Sequence, residues 1–121
     1  QICRDEKNVL KNVEAHFESM SNMELLSLLL VSQKRILIDS CLQHAAAALN
    51  LPSSVLWIGT SPKVFGYTLH NNIVAEIPET VKLPDSYLFD FNFNGMTHEC
   101  PLFDTNIFNL NEIIESIDSQ D

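Results

Sequence analysis

A chain of 121 residues holds one domain with a buried core, and 45% hydrophobic against 19% charged residues excludes general disorder. Sixteen acidic side chains against seven basic ones give a formal charge of −9, and no Lys/Arg cluster offers the basic track that a nucleic-acid backbone needs. The longest apolar stretch, Leu25 to Val31, is broken by Ser27 and is far too short for a bilayer span, and the first residues lack the layout of a secretory signal.

Gln1-Ile2-Cys3 reads as the tail of a strand already running, so the chain is expected to be a fragment of a larger two-domain protein. From Asp5 to Glu18, Val9, Leu10, Val13 and Phe17 recur at helical spacing and predict a helix. Ser21-Asn22-Met23-Glu24 has the capping-box form, in which Ser and Glu side chains satisfy each other's backbone donors. It opens a predicted helix from Met23 to Ser32, apolar on nearly every face and so expected to be buried on more than one side. Arg35 to Ile38 is a short apolar run that predicts a parallel strand covered on both faces. Asp39-Ser40 then turns into a helix from Leu42 to Leu49, favoured by Ala45, Ala46, Ala47 and Ala48 and stopped by Pro52. Ser54 to Ile58 predicts a second buried strand, with Trp57 in the core. Helix, strand, helix, strand with short connections marks the α/β class. The expected architecture is a single Rossmann-like, three-layer domain over residues 1–121 with a small, mainly parallel sheet.

Gly59-Thr60-Ser61-Pro62 and Gly66 mark a loop, and Ile73-Val74-Ala75 a short strand. Tyr87, Phe89, Phe91 and Phe93 alternate with Leu88, Asp90 and Asn92, predicting a strand with one aromatic face that ends at Asn94-Gly95. Asn109 caps a last helix with an apolar stripe of Leu110, Ile113, Ile114 and Ile117, and the tail from Asp118 to Asp121 is expected to fray. A half-sheet that opens mid-strand leaves a hydrogen-bonding edge, so a homo-oligomer is expected. Cys3, Cys41 and Cys100, odd in number and far apart, fit reduced thiols and a cytoplasmic location better than a disulfide framework.

In open parallel sheets, ligands bind beyond the carboxyl ends of the strands. Two such ends occur: Asp39 to His44 after the first strand, and Gly59 to Pro62 after the second. If the strands are neighbours, both turns face one crevice. In so acidic a chain a phosphate must be held by backbone N–H groups and helix dipoles, here those of Ser40, Cys41 and Leu42, with hydroxyls from Ser40 and Thr60.

Asp39-Ser40-x-x-x-His44-x-Ala46-x-Ala48-Leu49, then Pro52, an apolar strand and Gly59-Thr60-x-Pro62, resembles the C-terminal domain of heptosyltransferase-like glycosyltransferases of the GT-B fold. That family carries a D-[ST]-G-x-x-H-x-x-A-A-L segment, a proline, a strand and a G-P-T-x-P loop. The resemblance runs over about residues 19 to 67 and includes the Ser21 to Ser32 helix. Cys41 stands where the family has glycine, and the Gly59-Thr60 pair lacks the intervening proline. The resemblance implies a nucleotide-sugar pocket formed by Asp39, Ser40, Cys41, Leu42, His44, Gly59 and Thr60. It also implies transfer of the sugar to a saccharide acceptor, with no metal and no cofactor beyond the donor substrate. The family's catalytic base lies in its other domain, so no catalytic residue is assigned to this chain.

Each feature has a plainer reading. Asp39 could merely cap the following helix, and His44 could be a packing histidine. A Ser-His-Asp triad is rejected because Asp39, adjacent to Ser40, cannot orient His44 from behind. The Cys41/His44 and His98/Cys100 pairs lack the four paired ligands of a structural zinc site. The aromatic face from Tyr87 to Phe93 suits packing against a helix better than stacking on a base. A non-catalytic α/β binding or scaffold domain derived from the same fold is the alternative function.

Overall fold

The structure, a computed structural model, describes residues 12–58, 60–77 and 106–120. The expected strands at residues 1–3 and 87–93, the turn at Asn94-Gly95, Gly59 and the His98/Cys100 pair lie outside those residues. Helices and strands follow in the order α1 (Asn22–Val31), β1 (Ile36–Ile38), α2 (Cys41–Ala48), β2 (Ser54–Trp57), α3 (Pro62–Phe65), β3 (Asn71–Val74) and α4 (Leu110–Asp118). The three strands form one parallel sheet in the order β1-β2-β3. This is a small α/β fold compatible with a Rossmann-like layout.

The expected helix at 5–18 does not extend through its described part, where residues 12–18 are irregular. Val13 and Phe17 stay exposed, and an isolated helix without a packed face is marginal in water. At α1 the capping box forms. The Ser21 N–H donates to Glu24 Oε2 at 2.8 Å, and the Glu24 N–H donates back to Ser21 Oγ at 3.3 Å. Hydrogen bonds from the Ser21 hydroxyl and then the Ser21 N–H hold the Glu24 carboxyl below its ordinary pKa. The burial expected for α1 is not found: Leu29 is its one buried residue, while Met23 is 72% and Val31 75% exposed. The helix packs on α2, with Leu25 and Leu26 half-buried and Met23, Leu28, Leu30 and Val31 exposed.

Helix α2 is stopped by backbone geometry rather than by Pro52. Asn50 adopts a left-handed φ of 56°, the Leu51 N–H reaches Ala46 O at 2.8 Å, and the Asn50 N–H reaches Ala47 O at 3.0 Å. That pattern is a Schellman cap, and it is complete at Leu51, before the proline is reached.

Alternation along the strands, read with the register, divides the sheet into two faces. One carries Ile36, Ile38, Ser54, Leu56, Asn71 and Ile73; the other carries Leu37, Val55, Trp57, Asn72 and Val74. Helix α4 covers β2 and β3 on the first face, where Ser54 Oγ meets Ser116 Oγ at 2.6 Å and Asn71 Nδ2 donates to Ser116 O at 3.1 Å. Helices α1 and α2 flank the other face: Leu25, Leu28, Leu29 and Leu42 line a shallow groove with Leu37. Val55, Trp57, Ile73 and Ala46 form the core between these layers, with the Trp57 indole N–H satisfied by Asn72 Oδ1 at 3.0 Å.

Four expectations change here. Strand β2 ends at Trp57, with Ile58 exposed. The predicted 59–66 loop contains the single turn α3, capped by Ser61 and started by Pro62. The apolar stripe of α4 is largely outside: Leu110 and Ile114 are exposed, Ile113 and Ile117 half-buried, and Ser116 is the buried residue. Its Asn109 cap forms as expected, accepting from the Asn111 N–H at 3.0 Å. The tail also stays anchored through residue 120. The Gln120 amide accepts from the Arg35 N–H at 2.8 Å and donates to Arg35 O at 2.8 Å and Ser54 Oγ at 2.7 Å. Fraying is prevented because a buried strand start and a side-chain amide satisfy each other.

Candidate functional site

Because β1 and β2 are parallel neighbours, their following turns open at the same end of the sheet. The register aligns Ile38 with Leu56, so each chain leaves the sheet at nearly the same height. The two turns touch: the Thr60 hydroxyl donates to Asp39 Oδ2. Both residues are half-buried. Among the described residues the strand order runs in one direction, so the crevice lies between adjacent carboxyl ends and not at a reversal of strand order.

Ser40 is the N-cap of α2, with extended backbone and no side-chain capping bond, so Asp39 is not the cap and the Ser40 hydroxyl is not committed to one. Cys41 opens the helix with an exposed free thiol. Leu42 turns the other way and lines the groove between α1 and β1, which leaves only its backbone available to the crevice. His44 lies one helical turn after Ser40 and is exposed, so it is not a packing residue. Its Nδ1 lies 3.0 Å from the Tyr67 hydroxyl, and the two rings meet edge to face at 5.6 Å.

Sequence reasoning missed the residues behind His44. Gln43 is buried; its Nε2 donates to Phe65 O at 3.1 Å and tethers α2 to the end of α3. The Gln43 backbone carbonyl oxygen lies 2.9 Å from His70 Nε2. A carbonyl can only accept, so that nitrogen carries the proton. Tyr67 and His70 also meet edge to face, at 5.9 Å. Gln43 Oε1 and His70 Nδ1 are buried without a hydrogen-bond partner among the described residues. The only signal for this cluster was a glutamine at a helix position followed by alanines three and four residues on, a polar intrusion on a packing face.

Gly66 closes this wall by close approach. A Cβ there would lie 2.5 Å from Pro62 O and 3.0 Å from Pro62 Cα, so the α3 turn packs directly on the glycine backbone. The resulting rim is polar and carries one described cation, Lys63, on α3.

One groove runs along α1 and β1, and another lies around residues 15–24. No described helix is long and apolar enough to cross a membrane. The chain matches no family model, no curated protein and no solved structure.

Proposed function

We propose that the chain binds a nucleotide diphosphate sugar at the crevice between the Asp39–Leu42 turn and the Thr60–Ser61 turn. In this reading it is the donor half of a cytoplasmic glycosyltransferase acting on a saccharide acceptor. The contact between Thr60 and Asp39 carries the reading, because it brings together the two turns that resemble the donor-binding segments of heptosyltransferase-like enzymes. The backbone N–H groups of Cys41 and Leu42 begin α2 and offer donors to a diphosphate, assisted by the dipole of the eight-residue helix. The Asp39 carboxylate repels phosphate, so its place is beside the sugar, accepting from hydroxyls as it accepts from Thr60. Stabilising the departing diphosphate is this domain's contribution to transfer.

A second reading, a non-catalytic binding domain, is favoured by a different observation. Asp39 is engaged by Thr60 and His44 by Tyr67, so both side chains are tied within the fold. Calorimetric titration of the 121-residue chain with nucleoside diphosphates and their sugar conjugates separates the two. The donor reading expects binding at millimolar concentration or tighter, weakened about tenfold in Thr60→Val through loss of the hydrogen bond that fixes the Asp39 carboxylate beside the sugar. It also expects tighter binding in Cys41→Gly, where the side chain no longer stands before the helix start. Absence of binding to every donor leaves the second reading.

A further inference from the structure

We propose that β1 is the seam of a symmetric homodimer, in which the Ile36–Ile38 strands of two copies pair antiparallel and join two three-stranded sheets into one of six. Three features of β1 are at odds with an edge exposed to water, and a second copy answers all three.

First, no described strand pairs with its outer hydrogen-bonding groups. Ser54 N–H donates to Arg35 O at 3.0 Å, which fixes the odd-numbered residues of β1 as those bonded to β2. By alternation the N–H and C=O groups of Ile36 and Ile38 point away from β2, and no described strand meets them. Second, the strand is apolar on both faces, as strands in the middle of parallel sheets are. Ile36 is 52% and Ile38 62% exposed on the face that α4 shares, whereas natural edges carry charges or proline. Third, the apolar surface continues beyond the strand. Gln120 meets Arg35 beside β1, and Asn71 meets Ser119 beside β3. At about 100° per residue from sheet-facing Ser116, Leu110 falls on the β1 flank of α4 and Ile114 next to it toward the outer face. They are 69% and 57% exposed.

The strand is self-complementary in one register. Centred on Leu37, an antiparallel pair sets Ile36 opposite Ile38 of the other copy, and the reverse. These are the residues whose groups point away from β2, so four main-chain hydrogen bonds form, and the contact is isologous. On one face the isoleucines of both copies make a continuous row flanked by two α4 helices. On the other, Leu37 meets its equivalent between the two leucine-lined grooves. Arg35 is buried and bonded to carbonyls of Leu29, Ser32 and Pro52 in its own chain, so the exposed basic group beside the strand is Lys34, which antiparallel pairing sets near Asp39 of the other copy. Parallel pairing would set like against like.

Sedimentation equilibrium of the 121-residue chain should give twice the monomer mass of 13.7 kDa. Ile36→Lys places a charge in the seam twice per dimer while occupying an exposed position in the monomer. It should raise the dimer dissociation constant about a hundredfold or more with folding retained by circular dichroism. The register has its own test, one that does not depend on tolerating a buried charge. In a background with Cys3, Cys41 and Cys100 changed to serine, Leu37→Cys should cross-link two copies on mild oxidation. The facing Cα atoms would be about 4.5 Å apart, within disulfide reach. Ile36→Cys alone should not cross-link, because it faces Ile38. A monomer at 100 μM concentration (roughly the range in which weak dimers assemble) overturns the proposal. A dimer that survives Ile36→Lys and fails to cross-link through Leu37→Cys overturns it as well.

Discussion

Replacing Gln120 with alanine should be among the most destabilising single changes outside the apolar core. The side chain is 4% exposed and makes three hydrogen bonds, two to the Arg35 backbone and one to the Ser54 hydroxyl. The losses are unequal. Arg35 O keeps the Ser54 N–H at 3.0 Å, and Ser54 Oγ keeps Ser116 Oγ at 2.6 Å, so each of those bonds costs about 1 kcal/mol. The Arg35 N–H has no second partner among the described residues and is left unpaired at about 1–3 kcal/mol. The sum is about 3–5 kcal/mol, a large fraction of the roughly 5–15 kcal/mol that holds a domain folded. Urea unfolding followed by the fluorescence of Trp57, the chain's one tryptophan and fully buried, reads this directly. At a slope of about 1.5 kcal/mol per molar, the midpoint should fall by about 2–3 M. Gln120→Glu supplies the sign. One carboxylate oxygen would then face Arg35 O, raising the folded-state pKa above the unfolded one. Its stability should therefore be greatest at low pH and lost as pH rises through the raised value. A loss below about 1 kcal/mol in Gln120→Ala, or a Gln120→Glu variant indifferent to pH, refutes the assignment of this amide as the clasp between α4 and β1.

Asn50→Ala should cost about 1 kcal/mol, because φ of 56° strains a Cβ, while Asn50→Gly should be neutral or stabilising; paired thermal melts decide. Gly66→Ala should destabilise by about 1–3 kcal/mol, since the new methyl meets Pro62 backbone atoms that cannot turn aside. The same melts, with Val64→Ala as an exposed control, test it. Glu24 has a folded-state pKa below its unfolded value, so its capping contribution is present above the unfolded pKa and disappears as pH falls through the folded one. Amide exchange at the first turn of α1 should accelerate over that acidic window in the native chain beyond its intrinsic pH dependence, and Glu24→Gln should remove the extra component. Thr60→Val should cost about 1–2 kcal/mol by releasing the Asp39 carboxylate, and the loss should shrink when Asp39→Asn is combined with it in a double-mutant cycle.

Local chemistry decided which segments form helices and strands. Ser21 and Glu24 start α1 because a hydroxyl and a carboxylate three residues apart reach each other's backbone. The apolar runs at 36–38 and 54–57 became parallel strands because short connections through an alanine-rich helix leave that arrangement open to them. The same reasoning placed the turns at Asp39 and Thr60 beyond neighbouring carboxyl ends, and there they touch. What each segment packs against is a matter of distant residues. Nothing near Gln120 in the chain announces Arg35, 85 residues away, so a polar tail became a buried clasp. Ile36, Ile38, Met23 and Val31 have the hydrophobicity of core residues, yet the described layers do not cover them. The alanines of α2 are followed by a proline, yet an asparagine in left-handed geometry ends the helix first. Side-chain periodicity specifies a face for burial; only the assembled layers determine whether another surface reaches it.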